Sequence, residues 1–235
     1  MIFRSVRTSP DARLIFIGDI HGCYDELREL LERVAPDGED VVVSVGDVVT
    51  NGPAAAKCLD FWRERHYLGV QGNNELKVLE SAHPLLRFFA RENRDVLVRG
   101  DLLRYIGSWP RVLDFPDANV TAVHGGFLPQ MRVAAEDVER ERELVPKLRW
   151  IRRKDGHWAH VPKDKKKKDD VLWAEKWKGE RFIVYGHTPL REPKFDKFAL
   201  GLDTGCVYGG KLTAAILTRG EWSTVSVQAH EKYAE

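Results

Sequence analysis

Only three cysteines occur in 235 residues, at positions 23, 58 and 206. They are odd in number, far apart and without CxxC spacing, which argues against a disulfide framework and against a thiolate zinc site. Long apolar runs are missing as well. Even the apolar-rich stretch near Val41–Val45 is short, far below the ~18 residues that a bilayer span needs. The N-terminal MIFRSVRTSPDAR holds too short an apolar stretch for a secretory signal. Nor is there a surplus of either charge: 37 Lys+Arg meet 36 Asp+Glu, a formal charge of +1. No global field would then steer the chain onto nucleic acid or an anionic membrane. These absences point to a reducing, cytoplasmic setting, with neither a membrane nor a nucleic acid as partner.

What is present describes a globular protein. A 43% hydrophobic share excludes wholesale disorder, and the length suits one domain, 1–235. Arg13–Gly18 and Asp40–Gly46 read as buried strands. Between them Leu27, Leu30, Leu31 and Val34 recur at helical spacing. A helix follows from about Pro53 to Arg65, then a short strand at Tyr67–Gln71 and an amphipathic, mostly helical stretch over 75–107. Asn119–His124 and Arg181–Gly186 are further strands. Phe198–Asp203, Leu212–Thr218 and Trp222–Val227 read as a closing β meander or hairpins. Strands alternating with helices make an α/β fold with a parallel or mixed sheet. Val133–Glu180, charged and Trp-rich, reads as a helical or loop elaboration on that fold.

Each strand of the α/β part ends in a short polar motif: GDIHG (18–22), GDVVTNG (46–52), GNNE (72–75), HGG (124–126) and GHT (186–188). In open α/β sheets, ligands bind outside the carboxyl ends of strands. A single Asp there commonly caps a helix or shapes a turn, and a single His is commonly a hydrogen-bonded loop residue. Five such motifs in succession are a different matter. Asp19, His21, Asp47, Asn73, His124 and His187 comprise two carboxylates, three imidazoles and an amide. Without thiolates, that set suits Mn, Fe, Mg or Zn. Six ligands exceed one tetrahedral site and suit two ions ~3.5–4 Å apart that share a carboxylate.

The order GDIHG, GDxxxxG, GNxE, HGGxxP and GHT resembles the calcineurin-type metallophosphoesterases. Within them it is similar to the branch holding phosphoprotein phosphatases and symmetrical diadenosine-tetraphosphate hydrolases. HGGFLP (124–129), WIR (150–152) and LDTGCVYGGKLTA (202–214) resemble its bacterial and phage-type members. The resemblance covers about residues 13–218 and implies a four-layer α-β-β-α sandwich. It implies two divalent metal ions, Mn first, with Asp19 and His21 on one, Asn73, His124 and His187 on the other, and Asp47 bridging. Hydroxide held between the ions would attack the phosphorus in line. The substrate implied is a phosphorylated small molecule, nucleotide or phosphoprotein.

Two departures narrow this. The family's GDxVDRG is here GDVVTNG, so Thr50 and Asn51 stand in place of Asp and Arg. Its GNHE is here GNNE, so Asn74 stands in place of His. In the family that His protonates the leaving oxygen and is oriented by the missing Asp. A general acid contributes about 10²–10⁴-fold and matters most for poor leaving groups. Serine and threonine alkoxides are poor ones, whereas aryl oxides and nucleoside phosphates leaving from an anhydride are stable anions. Hydrolysis of activated esters or anhydrides, diadenosine tetraphosphate among them, is therefore the expectation. The competing readings are a serine/threonine or tyrosine protein phosphatase, a phosphodiesterase, or a weakened member that binds phosphate without turnover. With the Arg clamp missing, Arg152, Asn51 and Tyr208 are the candidate substrate ligands and Asn74 a phosphate hydrogen-bond donor.

The remaining features read structurally. KDKKKKDD (163–170) suits a solvated loop. Four of the seven tryptophans, at 150, 158, 173 and 177, suit packing of the elaboration onto the sandwich, with a base-stacking wall as the alternative. His66, His83, His157, His160 and His230 match no ligand position. Cys23, at a helix start that could lower its pKa, and Cys206 read as small buried residues.

Overall fold

A computed structural model describes residues 2–9, 11–82 and 94–235. In chain order its elements are β1 (Phe3–Ser5), β2 (Leu14–Ile17), α1 (Tyr24–Val34), β3 (Val41–Ser44), α2 (Ala55–Glu64), β4 (Leu68–Gly69) and α3 (Asn73–Ser81). There follow α4 (Arg94–Leu97), α5 (Gly100–Gly107), β5 (Val112–Phe115), β6 (Val120–Val123), α6 (Ala135–Arg140), β7 (Trp150–Lys154) and β8 (His157–Val161). The last are β9 (Val171–Leu172), β10 (Phe182–Tyr185), β11 (Lys194–Asp196), β12 (Ala199–Gly201), β13 (Lys211–Thr218) and β14 (Glu221–Gln228).

Two mixed sheets form the centre. One runs β14-β13-β2-β3-β4 and the other β1-β5-β6-β10-β12-β11. Side chains alternate across each strand and so sort into separate layers. In β2, Ile15 and Ile17 face the core under α1 and α2, while Leu14 and Phe16 face the second sheet. In β10, Val184 faces the first sheet, while Ile183 and Tyr185 pack outward against Phe127, Trp173 and Trp177. Strands buried on both faces need apolar residues at every position, which is why LIFI and FIVY do not alternate in polarity.

The result is four layers: α1–α5, two sheets, and an outer layer made by the elaboration. Trp173 and Trp177 pack that layer onto the six-stranded sheet, as their composition implied. The elaboration is not helix and loop alone, however. Besides α6 it contains a third sheet, β8-β7-β9. WIRRK and HWAHV have one face on solvent and many cations, so their strand character is muted in the sequence. The 163–169 run is exposed.

The closing strands also differ from a meander. β13 and β14 form a hairpin, but β12 lies in the six-stranded sheet and β13 in the five-stranded one. Residues 202–210 therefore cross between sheets at the edge where the motifs gather. Of the stretch 75–107, residues 83–93 lie outside the described part.

α1 shows how local signals end an element in the right place. Leu27, Leu30, Leu31 and Val34 are buried, each Leu contributing roughly 1.5–3 kcal/mol. Ala35 turns left-handed at φ 46° and donates its N–H to the Leu31 carbonyl, just before Pro36, which disfavours further helix. Parallel pairing of β2 with β3 and of β10 with β6 and β12 brings the carboxyl ends together, with Ile17 beside Ser44 and Tyr185 beside Val123 and Gly201.

Candidate active site and metal centre

The loops leaving β2, β3, β4, β6, β10 and β12 converge on one cavity of about 670 Å³. Asp19, His21, Asp47, Asn73 and His187 line it, and the buried His124 ring sits directly behind Asp47, Nε2 to Oδ2 3.3 Å. All six candidate ligands are thus in one place. They form two groups whose donor atoms lie within 4.8 Å of one another: Asp19, His21 and Asp47, and Asp47, His124 and His187. Asp47 belongs to both. Asn73 joins the second, its Oδ1 3.2 Å from His124 Nε2.

The imidazoles are held with one nitrogen inward. His21 Nδ1 lies 3.1 Å from the Val49 carbonyl and His124 Nδ1 2.9 Å from that of Val45. A carbonyl only accepts, so Nδ1 carries a hydrogen and Nε2 is the nitrogen turned to the carboxylates, the position a cation would take in place of a proton. His187 is turned the other way. Its Nε2 donates to the Lys147 carbonyl at 3.1 Å, which leaves Nδ1 for the centre. Three of the six residues occupy left-handed backbone, His21 at φ 48°, Asp47 at 52° and His187 at 67°, at about 1 kcal/mol or more each. Two glycines make room for the carboxylates. A Cβ on Gly72 would overlap Asp47 Oδ1, and one on Gly186 would overlap Asp19 Oδ1. The next amide, His187 N–H, donates to Asp19 at 3.1–3.2 Å.

Glu75, quoted in the GNNE motif but given no role there, proves to organise the β3 loop. Fully buried, it accepts N–H bonds from Asp47, Val48 and Gly72 at 2.8 Å and from Val49 at 3.2 Å. Asp203 is a second residue that escaped sequence reading. It lines the cavity from the β12 crossover, and its signal was present, because LDTG follows a strand as the other motifs do.

The electrostatics show a deficit of positive charge. Burial, then the Asp203 charge, raises the Asp19 carboxyl well above its ordinary range, and burial raises Asp203 and Glu75 too. Burial would also raise Asp47, but His124 and His21 outweigh it and hold Asp47 low. Burial would lower His124, yet the charges of Asp47 and Asp19 push it up to about 10. His187 is lowered by burial and by His124. A cluster of buried carboxylates beside imidazoles whose inward nitrogens can give up a proton to a metal is a donor set that divalent cations complete.

Of the candidate substrate ligands, Asn51 and Tyr208 line the cavity, both exposed. Asn74 lines it as well, with its amide committed to Asp47: Nδ2 donates to Oδ2 at 2.6 Å and the backbone N–H to Oδ1 at 2.9 Å. Arg152 is not among the lining residues. Its guanidinium grips Asp170 in the outer layer, both bonds 2.6 Å. Arg149 lines the cavity instead and donates to the His187 carbonyl.

The tryptophans do not line the cavity either, which leaves packing as their observed role. Cys23 and Cys206 are buried free thiols. A hydrogen bond from the Cys23 thiol to Cys206, then burial, pushes the Cys23 thiol up, not down. His230 pairs with Glu29 at 3.0 Å, and His83 lies outside the described residues.

Two sheets with a shared carboxylate between two ligand groups at their carboxyl ends define a metal-dependent phosphoesterase. The calcineurin-like phosphoesterase family model matches residues 12–231, and the chain belongs to that family as a hydrolase of phosphoric esters or anhydrides. It is 28% identical to a bis(5'-nucleosyl)-tetraphosphatase PrpE, designated asymmetrical, from Geobacillus thermodenitrificans, over 90% of this chain and 92% of that one. It is 27% identical to the Oceanobacillus iheyensis protein of the same name, over 91% and 92%. Among solved structures, a candidate diadenosine tetraphosphatase superposes with a TM-score of 0.83 at 29% identity, over 97% and 98% of the two chains. A serine/threonine phosphatase from Saccharomyces cerevisiae, at 14% identity and a TM-score of 0.61, shares the fold. Among the described residues, no helix is long and apolar enough to cross a membrane.

Proposed function

We propose that the protein hydrolyses nucleotide phosphoanhydrides of the diadenosine-tetraphosphate type, using two divalent ions, Mn²⁺ first, in the cytoplasm. The observation that carries this reading is Asp47, a single carboxylate shared by two ligand groups beneath an open polar cavity. The PrpE relatives support the substrate class, three free buried cysteines support a reducing compartment, and a donor set of oxygens and imidazoles supports Mn²⁺.

Asp19 and His21 would hold one ion, Asn73, His124 and His187 the other, with Asp47 between. When bound, the ions supply Lewis acidity to the phosphoryl oxygens and lower the pKa of a water. This chain's residues do the rest. Arg149, braced against the His187 carbonyl, takes phosphate oxygens through a charged hydrogen bond. Asn51 and Tyr208 border the path of the remaining nucleotide. Asn74 anchors Asp47.

The test is steady-state hydrolysis by metal-free protein reloaded with Mn²⁺. Diadenosine tetraphosphate, an aryl phosphate, an aryl phosphodiester and a phosphoserine peptide are compared. Turnover of the dinucleotide and the aryl monoester with a silent peptide is expected. Robust phosphoserine turnover would make the protein a protein phosphatase, a preference for the diester a phosphodiesterase, and silence throughout a binding protein. Product analysis then separates ATP plus AMP from two ADP, the asymmetrical cut from the symmetrical one.

A further inference from the structure

Resting on that reading, the wall of the cavity formed by α3 suggests how the missing acid is replaced. Asn73, Asn74, Lys77, Val78 and Ser81 line the cavity, and positions i, i+1, i+4, i+5 and i+8 share one face of a helix. Lys77 Nζ donates to Asn74 Oδ1 at 3.3 Å. The same Asn74 donates to Asp47 Oδ2. One amide therefore links the shared carboxylate to an ammonium at the cavity edge. Among the described residues no carboxylate lies within ion-pair distance of Lys77, whose side chain lines the cavity. Among the described residues, the other Lys or Arg lining the cavity is Arg149, which enters from the outer layer and is tied to the six-stranded sheet. Lys77 stands on the helix that follows the five-stranded one. The two flank the site from different layers.

We propose that Lys77, positioned by Asn74, stabilises the leaving oxygen. It does the work of the absent His–Asp pair by charge, not by donating a proton. Water oxygen bonds to phosphorus as the phosphorus–leaving-oxygen bond breaks. The bonding pair goes to the leaving oxygen, which departs as an anion against the Lys77 ammonium, and the water's surplus proton goes to solvent. Such a device serves leaving groups that are stable as anions, such as aryl oxides and nucleoside polyphosphates. It does little for alkoxides, which need the proton itself. Asn74 is in this scheme a positioning residue. With its oxygen engaged by Lys77 and its NH₂ by Asp47, the amide bridges two groups that a His at 74 would not join in the same way.

The experiment compares the Mn²⁺-loaded protein with Lys77→Met and Lys77→Arg on aryl phosphates of graded leaving-group acidity and on diadenosine tetraphosphate. Lys77 is exposed on its helix, so both variants should keep the fold, which circular dichroism verifies. Expected for Lys77→Met is a loss of about 10–10²-fold on the poorest aryl leaving group, less than ~3-fold on the best, and partial recovery with Arg. The plot of log kcat/KM against leaving-group pKa should steepen. An equal loss across the series would make Lys77 a substrate-binding residue and overturn the proposal, as would no loss. Absence of any turnover by the unaltered protein would overturn the reading of the site itself.

Discussion

The floor of the cavity and its rim are built on different terms. On the floor, each imidazole is fixed by a backbone carbonyl. Asp19 and Asp47 accept backbone N–H groups, and three residues hold left-handed backbone that their surroundings impose. At the rim, Asn51, Lys77 and Tyr208 are exposed, and Thr50 and Asn51, also left-handed at φ 71° and 67°, occupy positions where the family pattern has Asp and Arg. The six candidate ligands on the floor keep the residue types of the family pattern, whereas Thr50, Asn51 and Asn74 around them depart from it. Metal chemistry tolerates little displacement, because donors must meet at fixed distances. The groups that face the leaving atom can change as the leaving group changes. If the floor sets the reaction type and the groups around it the substrate choice, substitutions in the two should have different effects.

The sharpest way to break that comparison is Asp47→Asn. Asn accepts left-handed backbone readily, so the fold should persist while the shared carboxylate is lost. Aryl phosphate turnover is expected to fall by about 10³-fold, roughly 4 kcal/mol in activation energy. Steady-state assays at saturating Mn²⁺ check it, and an active variant would remove Asp47 from the centre.

Rebuilding the family's pair with Thr50→Asp and Asn74→His should instead raise alkyl phosphate turnover, by about 10²-fold, and aryl turnover by less than ~10-fold. Equal gains on both would mean that position 74 does not address the leaving group.

Glu75→Gln tests the support beneath the floor. Gln offers one acceptor atom where Glu75 offers two, so two of the four backbone N–H groups lose their partner. A loss of about 10–100-fold in Mn²⁺ affinity or activity should follow, with about 1–3 kcal/mol of stability, read by calorimetric metal titration and urea unfolding.

The smallest contrast is between two arginines. Arg149→Ala should lower kcat/KM about 10-fold or more for the dinucleotide, whereas Arg152→Ala should change it by less than ~3-fold. Reversed effects would place the substrate along the outer sheet.

Much of this was legible in the chain. The five strand-end motifs marked the floor because a strand buried on both faces must be apolar, and a polar residue beside glycine then announces its end. Other parts were not. Arg149 and Arg152 are an odd number of positions apart at the start of a strand, so alternation sends them to opposite sides. RWIRRK alone does not say which side meets the cavity. Strands β7 and β8 were obscured by their cations, and β12–β13 read as a hairpin until the crossover showed that they belong to different sheets. Cys23 and Cys206, 183 positions apart in the chain, meet in the core.

The sequence by itself determined the donor types, their order, the fold class and the departures at 50, 51 and 74, because local chemistry is written residue by residue. Only the tertiary structure decided that Glu75 ties the Asp47 loop to α3, and that Arg149 and Lys77 line the cavity where Arg152 does not. Those facts depend on which strand ends lie side by side and which face of an element turns inward. Pairing between distant segments sets both.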